Sequence, residues 1–157
     1  MDGGTVWNTN LISAVDKCSS LGFAKSDIVV DIAICGHSEM KTLNATSNTI
    51  SNIMRYWEIR KYYNSMDDVI EYQETEPDVN FRYLLVPSEP LAGGIHMLFF
   101  NHTSIEHMLD LGKSDVDHVL AMGEGKAFEM LKEWRQTPHL ATKYDHFHEY
   151  MYSAKNQ

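Results

Sequence analysis

The stretch DIVVDIAIC, residues 27–35, is nearly all apolar and rich in β-branched side chains. A run of this kind predicts a strand buried on both faces, as in parallel sheets that are covered by helices. Before it, apolar residues recur at intervals of three and four from Asn10 to Leu21, which predicts a helix that ends at Gly22. Helix, short loop and buried strand in this order indicate an α/β fold.

The middle of the chain predicts a second helix and further strands. Helical spacing of apolar residues covers Thr49–Tyr63, and Phe81–Val86 has the pattern of a strand. Pro87 closes that strand, because proline cannot continue an interior ladder. The apolar run Ile95–Phe100 follows. The expected total is about three strands and four or five helices.

Two helices are expected in the segment from Thr103 onward. Thr103 with Glu106 forms a predicted capping box, and this helix should end near Gly112. From Ser114 a second helical pattern extends to Trp134, and the glycines at positions 123 and 125 should break or kink it.

Residues 138–157 predict a polar tail, rich in His and Tyr, that is exposed to solvent. Three histidines of this segment could be imagined as metal ligands: His139, His146 and His148. Their spacing matches no helical zinc motif, so no metal is expected there.

Composition narrows the class of protein. The chain has 157 residues, with 13 basic and 22 acidic side chains and a net charge of −9, which counts against nucleic acid as a partner. No apolar run approaches the roughly 20 residues of a membrane-spanning helix, and no signal peptide is recognisable, so we expect a cytoplasmic or peripheral membrane protein. Cys18 and Cys35 have neither metal-binding nor redox spacing and are predicted to be partly buried free thiols.

An acidic residue followed by two glycines, Asp2-Gly3-Gly4, lies before the first helix. The glycines allow close approach of the backbone, and a carboxylate there can face a partner group across a crevice. Taken alone, these three residues also fit a plain turn.

With the elements that follow it, this motif resembles the C-terminal half of patatin-like phospholipase domains. The family usually continues Asp-Gly-Gly-x-x-x-Asn-x-Pro, and four positions match: Asp2, Gly3, Gly4 and Asn8. Asn10 stands where the proline is usual. The resemblance covers roughly residues 2–134 and implies a partial three-layer α/β/α domain over residues 1–137 that lacks its N-terminal half.

The resemblance implies a lipid acyl hydrolase with a Ser–Asp dyad, in which Asp2 is the base. A serine hydroxyl is a poor nucleophile until a base takes its proton, and glycine-rich amides stabilise the oxyanion. In the family the G-x-S-x-G nucleophile elbow lies upstream of Asp-Gly-Gly, and these 157 residues contain no such motif. We therefore expect the chain to be inactive alone. The expected substrate is an ester lipid or phospholipid, with peripheral membrane contact and no cofactor or metal.

Two alternatives remain open. Gly36-His37-Ser38 follows a predicted strand as an elbow would, although Met40 replaces the closing glycine. A self-contained serine hydrolase would use Ser38 as its nucleophile. The other alternative is a non-catalytic fragment that binds lipid or protein.

Overall fold

The computed structural model describes residues 10–34, 68–89, 91, 101–137 and 146–153, together with the helical residues Thr49, Asn52 and Tyr56. Within these ranges there are helices and strands in mixed order, and a 3-10 turn, Lys25–Asp27, precedes the first strand. The helices are α1 (Leu11–Ser20), α2 (68–75), α3 (His102–Met122), α4 (Lys126–Gln136) and α5 (Phe147–Ser153). The strands are β1 (Val29–Ala33) and β2 (Asn80–Leu85).

β1 and β2 pair in parallel. The Asn80 amide donates to the Ile28 carbonyl oxygen at 3.0 Å, and the Ile34 amide donates to the Leu85 carbonyl oxygen at 2.8 Å. Both bonds join residues in the same order along the two strands, so the strands run in the same direction. Parallel neighbours require a crossover connection, and α2 forms the last part of it. The predicted α/β class is confirmed at this level.

The expectation that both faces of the first strand are buried is wrong. Ile32 is buried, whereas Val29, Asp31 and Ala33 of β1 are exposed. On the exposed face the Arg82 guanidinium donates to the Asp31 carboxylate, with Nε 3.0 Å from Oδ1. A continuous apolar run shows that a strand is favourable, but it does not show whether a second layer covers its other face.

The first helix agrees with the prediction. The Asn10 side chain accepts a hydrogen bond from the Ser13 amide at 3.1 Å and so caps the N-terminus of α1. Leu11 and Val15 form its buried face. Gly22 follows at φ 96°, a left-handed conformation that glycine adopts without strain, and this ends the helical pattern.

The capping box and the helix end near Gly112 are both wrong. Asn101 caps α3, and its side chain accepts from the Thr103 amide at 3.0 Å. α3 continues through Gly112 because one interior glycine costs only about 1 kcal/mol, which neighbouring packing can offset. The predicted break is confirmed at Gly123 and Gly125, both of which have positive φ.

The tail is not solvated throughout. Residues 147–153 form α5, in which Phe147, His148 and Met151 are buried. The Trp134 ring of α4 lies 6.2 Å from the Phe147 ring and 5.2 Å from the Tyr150 ring, centre to centre. The sequence pattern is weak here because α5 has only seven residues, which are too few to show a long periodic apolar face. Its burial depends on packing against α4.

The chain divides into two compact units, each with its own core. One comprises Met1–Asp31 and Met40–Arg82, and the other comprises Ile32–Glu39 and Tyr83–Gln157. In the first, the Tyr72 and Phe81 rings meet edge to face at 6.2 Å. In the second, the most deeply buried apolar side chains are those of Leu84, Val119, Phe128, Leu131, Phe147 and Met151.

Candidate functional site

The residues singled out from the sequence lie outside the described ranges. Asp2, Gly3, Gly4 and Asn8 fall in residues 1–9, and Ser38 falls in residues 35–48. Their proposed roles stay predictions. The neighbouring elements are described: α1 begins at Leu11, after the glycine motif, and β1 ends at Ala33, before the segment that holds Ser38.

The carboxyl ends of β1 and β2 lie at the same edge of the sheet. The hydrogen bond between the Ile34 amide and the Leu85 carbonyl shows that the two strands stay paired up to their carboxyl ends. In open α/β sheets, ligands bind outside the carboxyl ends of the strands. The chain that leaves β2 at this edge, residues 86–88, is described and is held by side chains from α3 and α5.

Asp115 joins α3 to the segment after β2. This residue is 7% exposed, and its Oδ2 accepts a hydrogen bond from the Ser88 amide at 3.0 Å. A carboxylate is costly to bury unless hydrogen bonds replace its water. The Ser88 amide is therefore part of what stabilises Asp115 in this position.

Tyr152 joins α5 to the same segment. Its hydroxyl donates to the Val86 carbonyl oxygen at 2.7 Å. Burial raises the pKa of Tyr152 strongly, and the negative charge and hydrogen bonding of Asp115 raise it further. The phenol therefore stays protonated across the physiological pH range, which suits it to donate a hydrogen bond rather than to act as a base.

His118 adds a contact between α3 and α5. Its Nε2 lies 3.4 Å from the Met151 carbonyl oxygen and donates to it when that nitrogen carries the proton. Its ring lies 4.8 Å from the Tyr152 ring, centre to centre. We call Ser88, Asp115, His118 and Tyr152 the polar anchor. His148 is also buried nearby in sequence, at 5% exposure.

The polar anchor is suited to holding segments together. Asp115 and Tyr152 each bond to backbone groups of residues 86–88, and Asp115 and His118 are buried. A nucleophile or general base needs access to a substrate and a proton affinity that suits the reaction. Burial limits the access of Asp115 and His118 to a substrate, so the anchor is a hydrogen-bond network that links α3 and α5 to the segment after β2.

Sequence reasoning missed this cluster although α3 carried a signal for it. Leu111, Asp115, His118 and Met122 recur at helical spacing, and this face of α3 is buried or half-buried. Two polar residues on an otherwise apolar helix face indicate a buried network. The partner Tyr152 had no comparable signal, because it lies in a segment without a long periodic pattern.

Metal-binding, thiol and membrane-spanning features are the other site chemistries that the sequence raises. Among the described residues no group of three or more His, Cys, Asp or Glu side chains is arranged to hold a metal ion, and His139 lies outside them. Cys18 is a half-buried free thiol, as predicted, whereas Cys35 is outside the described ranges. None of the helices within those ranges has both the length and the apolar character needed to cross a membrane.

Comparison with known proteins returned no relatives. No protein-family model matches the sequence, and searches of curated proteins and of solved structures find no match. Inference about function therefore depends on the residues and on the described geometry.

Proposed function

We propose that this chain is the C-terminal part of a patatin-like lipid acyl hydrolase of the phospholipase or lipase type. In this proposal residues 1–137 belong to a partial three-layer α/β/α domain, and residues 138–157 follow it. The observation that carries the proposal is the motif Asp2-Gly3-Gly4 with Asn8, placed directly before a capped helix. The order that follows, from α1 to β1 and then across to a parallel β2, is in keeping with such a domain.

The proposed chemistry is acyl transfer to a serine. The Asp2 carboxylate takes the proton from the serine hydroxyl while the serine oxygen attacks the ester carbonyl of the lipid. Glycine amides stabilise the negative oxygen that forms. The carbon–oxygen bond to the lipid alcohol then breaks, and the alcohol leaves with the proton held by Asp2. Water hydrolyses the acyl-serine by the same route, which releases the fatty acid and restores both side chains.

In this proposal the serine of the dyad belongs to a segment outside these 157 residues, because they contain no G-x-S-x-G motif. We expect no reaction of the present chain with a fluorophosphonate probe and no hydrolysis of phosphatidylcholine vesicles. Labelling at Ser38 that is lost in Ser38→Ala would instead support the self-contained hydrolase.

The decisive experiment uses the coding sequence upstream of the Met1 codon. We expect it to encode G-x-S-x-G after a strand-like run, and the longer chain to hydrolyse phosphatidylcholine. Asp2→Asn in that longer chain should lower the rate by about 10²–10⁴-fold, because the general base is lost.

The matched control is Asp27→Asn, which neutralises an exposed carboxylate at the end of the 3-10 turn and should leave the rate unchanged. An upstream frame without an elbow, or full activity in Asp2→Asn, would contradict the proposal.

One observation favours the second candidate, a lipid-binding fragment without catalysis. α3 carries exposed apolar side chains at spacings of four and seven residues, which places them on one helix face. They are Ile105, Leu109, Val116 and Leu120, and Leu109 and Leu120 are 58% and 50% exposed. A net charge of −9 favours uncharged over anionic lipid headgroups for such a contact.

Co-sedimentation with phosphatidylcholine vesicles tests this candidate. Replacing Leu109 and Leu120 together by Asn should lower the bound fraction, whereas Ile12→Asn, an exposed apolar residue of α1, should not. Equal binding by both variants would contradict a lipid-binding role for α3.

A further inference from the structure

The helix α5 is too short to persist alone in water. It has seven residues, whereas isolated helices shorter than about 12–15 residues are marginal even with favourable sequences. Phe147 and Met151 are both 0% exposed, so its apolar side is fully packed. The helical state of α5 therefore depends on its docking against the rest of its unit.

In its docked position, α5 contacts the segment that follows β2. Tyr152 bonds to the Val86 carbonyl oxygen, and the Met151 carbonyl oxygen faces His118 of α3. Next to Val86, the Ser88 amide is bonded to Asp115. Val86 and Ser88 lie at the edge where open α/β sheets bind ligands.

We propose that α5 is a strap that closes over the carboxyl end of β2 and opens as one unit, with the Tyr152 hydroxyl as its latch. Closed, it occupies the Val86 carbonyl and screens the Ser88 amide from solvent. Open, it exposes the Val86 carbonyl and the bond between Ser88 and Asp115 to water while α3 and α4 stay folded. This inference does not depend on the proposed acyl hydrolase activity.

A comparison within α5 explains why Tyr152 is the latch. Tyr150 also makes a hydrogen bond, to Glu133 Oε2 at 3.1 Å, but both of these side chains are exposed. Water can replace either partner of an exposed bond at little cost. Val86 is 2% exposed, so loss of the Tyr152 hydroxyl removes a hydrogen bond from a carbonyl oxygen with little access to water.

Native-state hydrogen exchange of the whole chain tests the strap. In the unmodified protein, the amides of α5, such as the Tyr150 amide bonded to the His146 carbonyl, should exchange through an opening that leaves α3 and α4 protected. In Tyr152→Phe, α5 and the Ser88 amide should exchange about tenfold faster, which corresponds to about 1.4 kcal/mol in the opening free energy. The amides of α4 should keep their rates.

Tyr150→Phe is the matched control, since it removes the same atom from the exposed side of the same helix. Its exchange rates in α5 should stay within about twofold of those of the unmodified protein.

Three results would overturn the proposal. The first is exchange of α5 together with α4 in the unmodified protein, which would make α5 part of the common core. The second is an equal effect of the two phenylalanine variants, which would exclude Tyr152 as the latch. The third is a Ser88 rate that stays constant while α5 accelerates, which would show that α5 does not cover this edge.

Discussion

Two regions of the molecule use similar polar groups in different surroundings. Around β1 and α2 the polar side chains meet in solvent: Lys25 Nζ lies 2.6 Å from Glu76 Oε2, and Arg82 pairs with Asp31. Between α3 and α5 the polar groups meet below the surface, where Asp115 is 7% exposed. We expect burial, rather than the presence of a bond, to decide how much such a contact contributes to stability.

The physical reason is competition with water. An exposed carboxylate that loses its partner is hydrated at once, so pairs of this kind contribute about 0–1 kcal/mol. A buried group that loses its partner stays unsatisfied and costs about 1–3 kcal/mol. Changes in the polar anchor should therefore be larger than equivalent changes at the Arg82–Asp31 pair.

The largest loss should come from the apolar core of the unit that contains the polar anchor. Leu131 of α4 is 0% exposed, and Leu131→Ala should lower the free energy of unfolding by about 2–5 kcal/mol, since it leaves a cavity. Urea denaturation followed by circular dichroism measures this change. Gln136→Ala, an exposed position at the end of the same helix, is the control and should change stability by less than about 0.5 kcal/mol.

The next largest effect should come from the anchor itself. Asp115→Ala removes the acceptor of the Ser88 amide and should cost about 1–3 kcal/mol. Asp117→Ala, two positions along α3 and exposed, should cost less than about 0.5 kcal/mol. Similar losses in the two variants, measured by the same denaturation, would remove the distinction between buried and exposed polar groups.

Alkaline pH should weaken the buried region by a smaller amount. The pKa of Tyr152 in the folded chain is raised above its ordinary value of 10.0, so the folded state holds this proton more tightly than the unfolded state. Its contribution is complete below about pH 10 and is lost as pH rises further. Denaturation midpoints at pH 8 and pH 10.5 should differ more in the unmodified protein than in Tyr152→Phe, and equal differences would argue against a buried phenol.

The smallest effect is expected at the exposed pair of β1 and β2. Asp31→Asn should lower the free energy of unfolding by at most about 1 kcal/mol, and 1 M salt should reduce that difference because ions screen exposed charges. The same salt should change the effect of Asp115→Ala much less. A salt-independent loss in Asp31→Asn would mean that this face of the strand is covered.

Local sequence signals anticipated several elements of the fold. The spacing that follows Asn10 and the stop at Gly22 gave α1 its limits within a residue or two, and the paired glycines 123 and 125 separated α3 from α4. The predicted end near Gly112 is wrong because a glycine in the sequence does not by itself fix the backbone conformation, and α3 continues through this position. A glycine ends a helix only where the backbone adopts that conformation.

The two candidate sites also differ in how far local sequence predicts them. The Asp2 motif consists of neighbouring residues, so it can be recognised from sequence, and its function stays a proposal. The polar anchor combines Ser88, Asp115, His118 and Tyr152 from three separate parts of the chain. Only Asp115 and His118 had a local indication, namely their place on an apolar helix face.

The sequence by itself determined α1, the strands β1 and β2 and the break between α3 and α4, because periodicity and turn signals depend on residues within a few positions of each other. Tertiary structure alone decided which faces are buried, that α5 docks, and that the Tyr152 hydroxyl meets the Val86 carbonyl. Those outcomes depend on which distant residues exclude water from one another, and no local pattern contains that information.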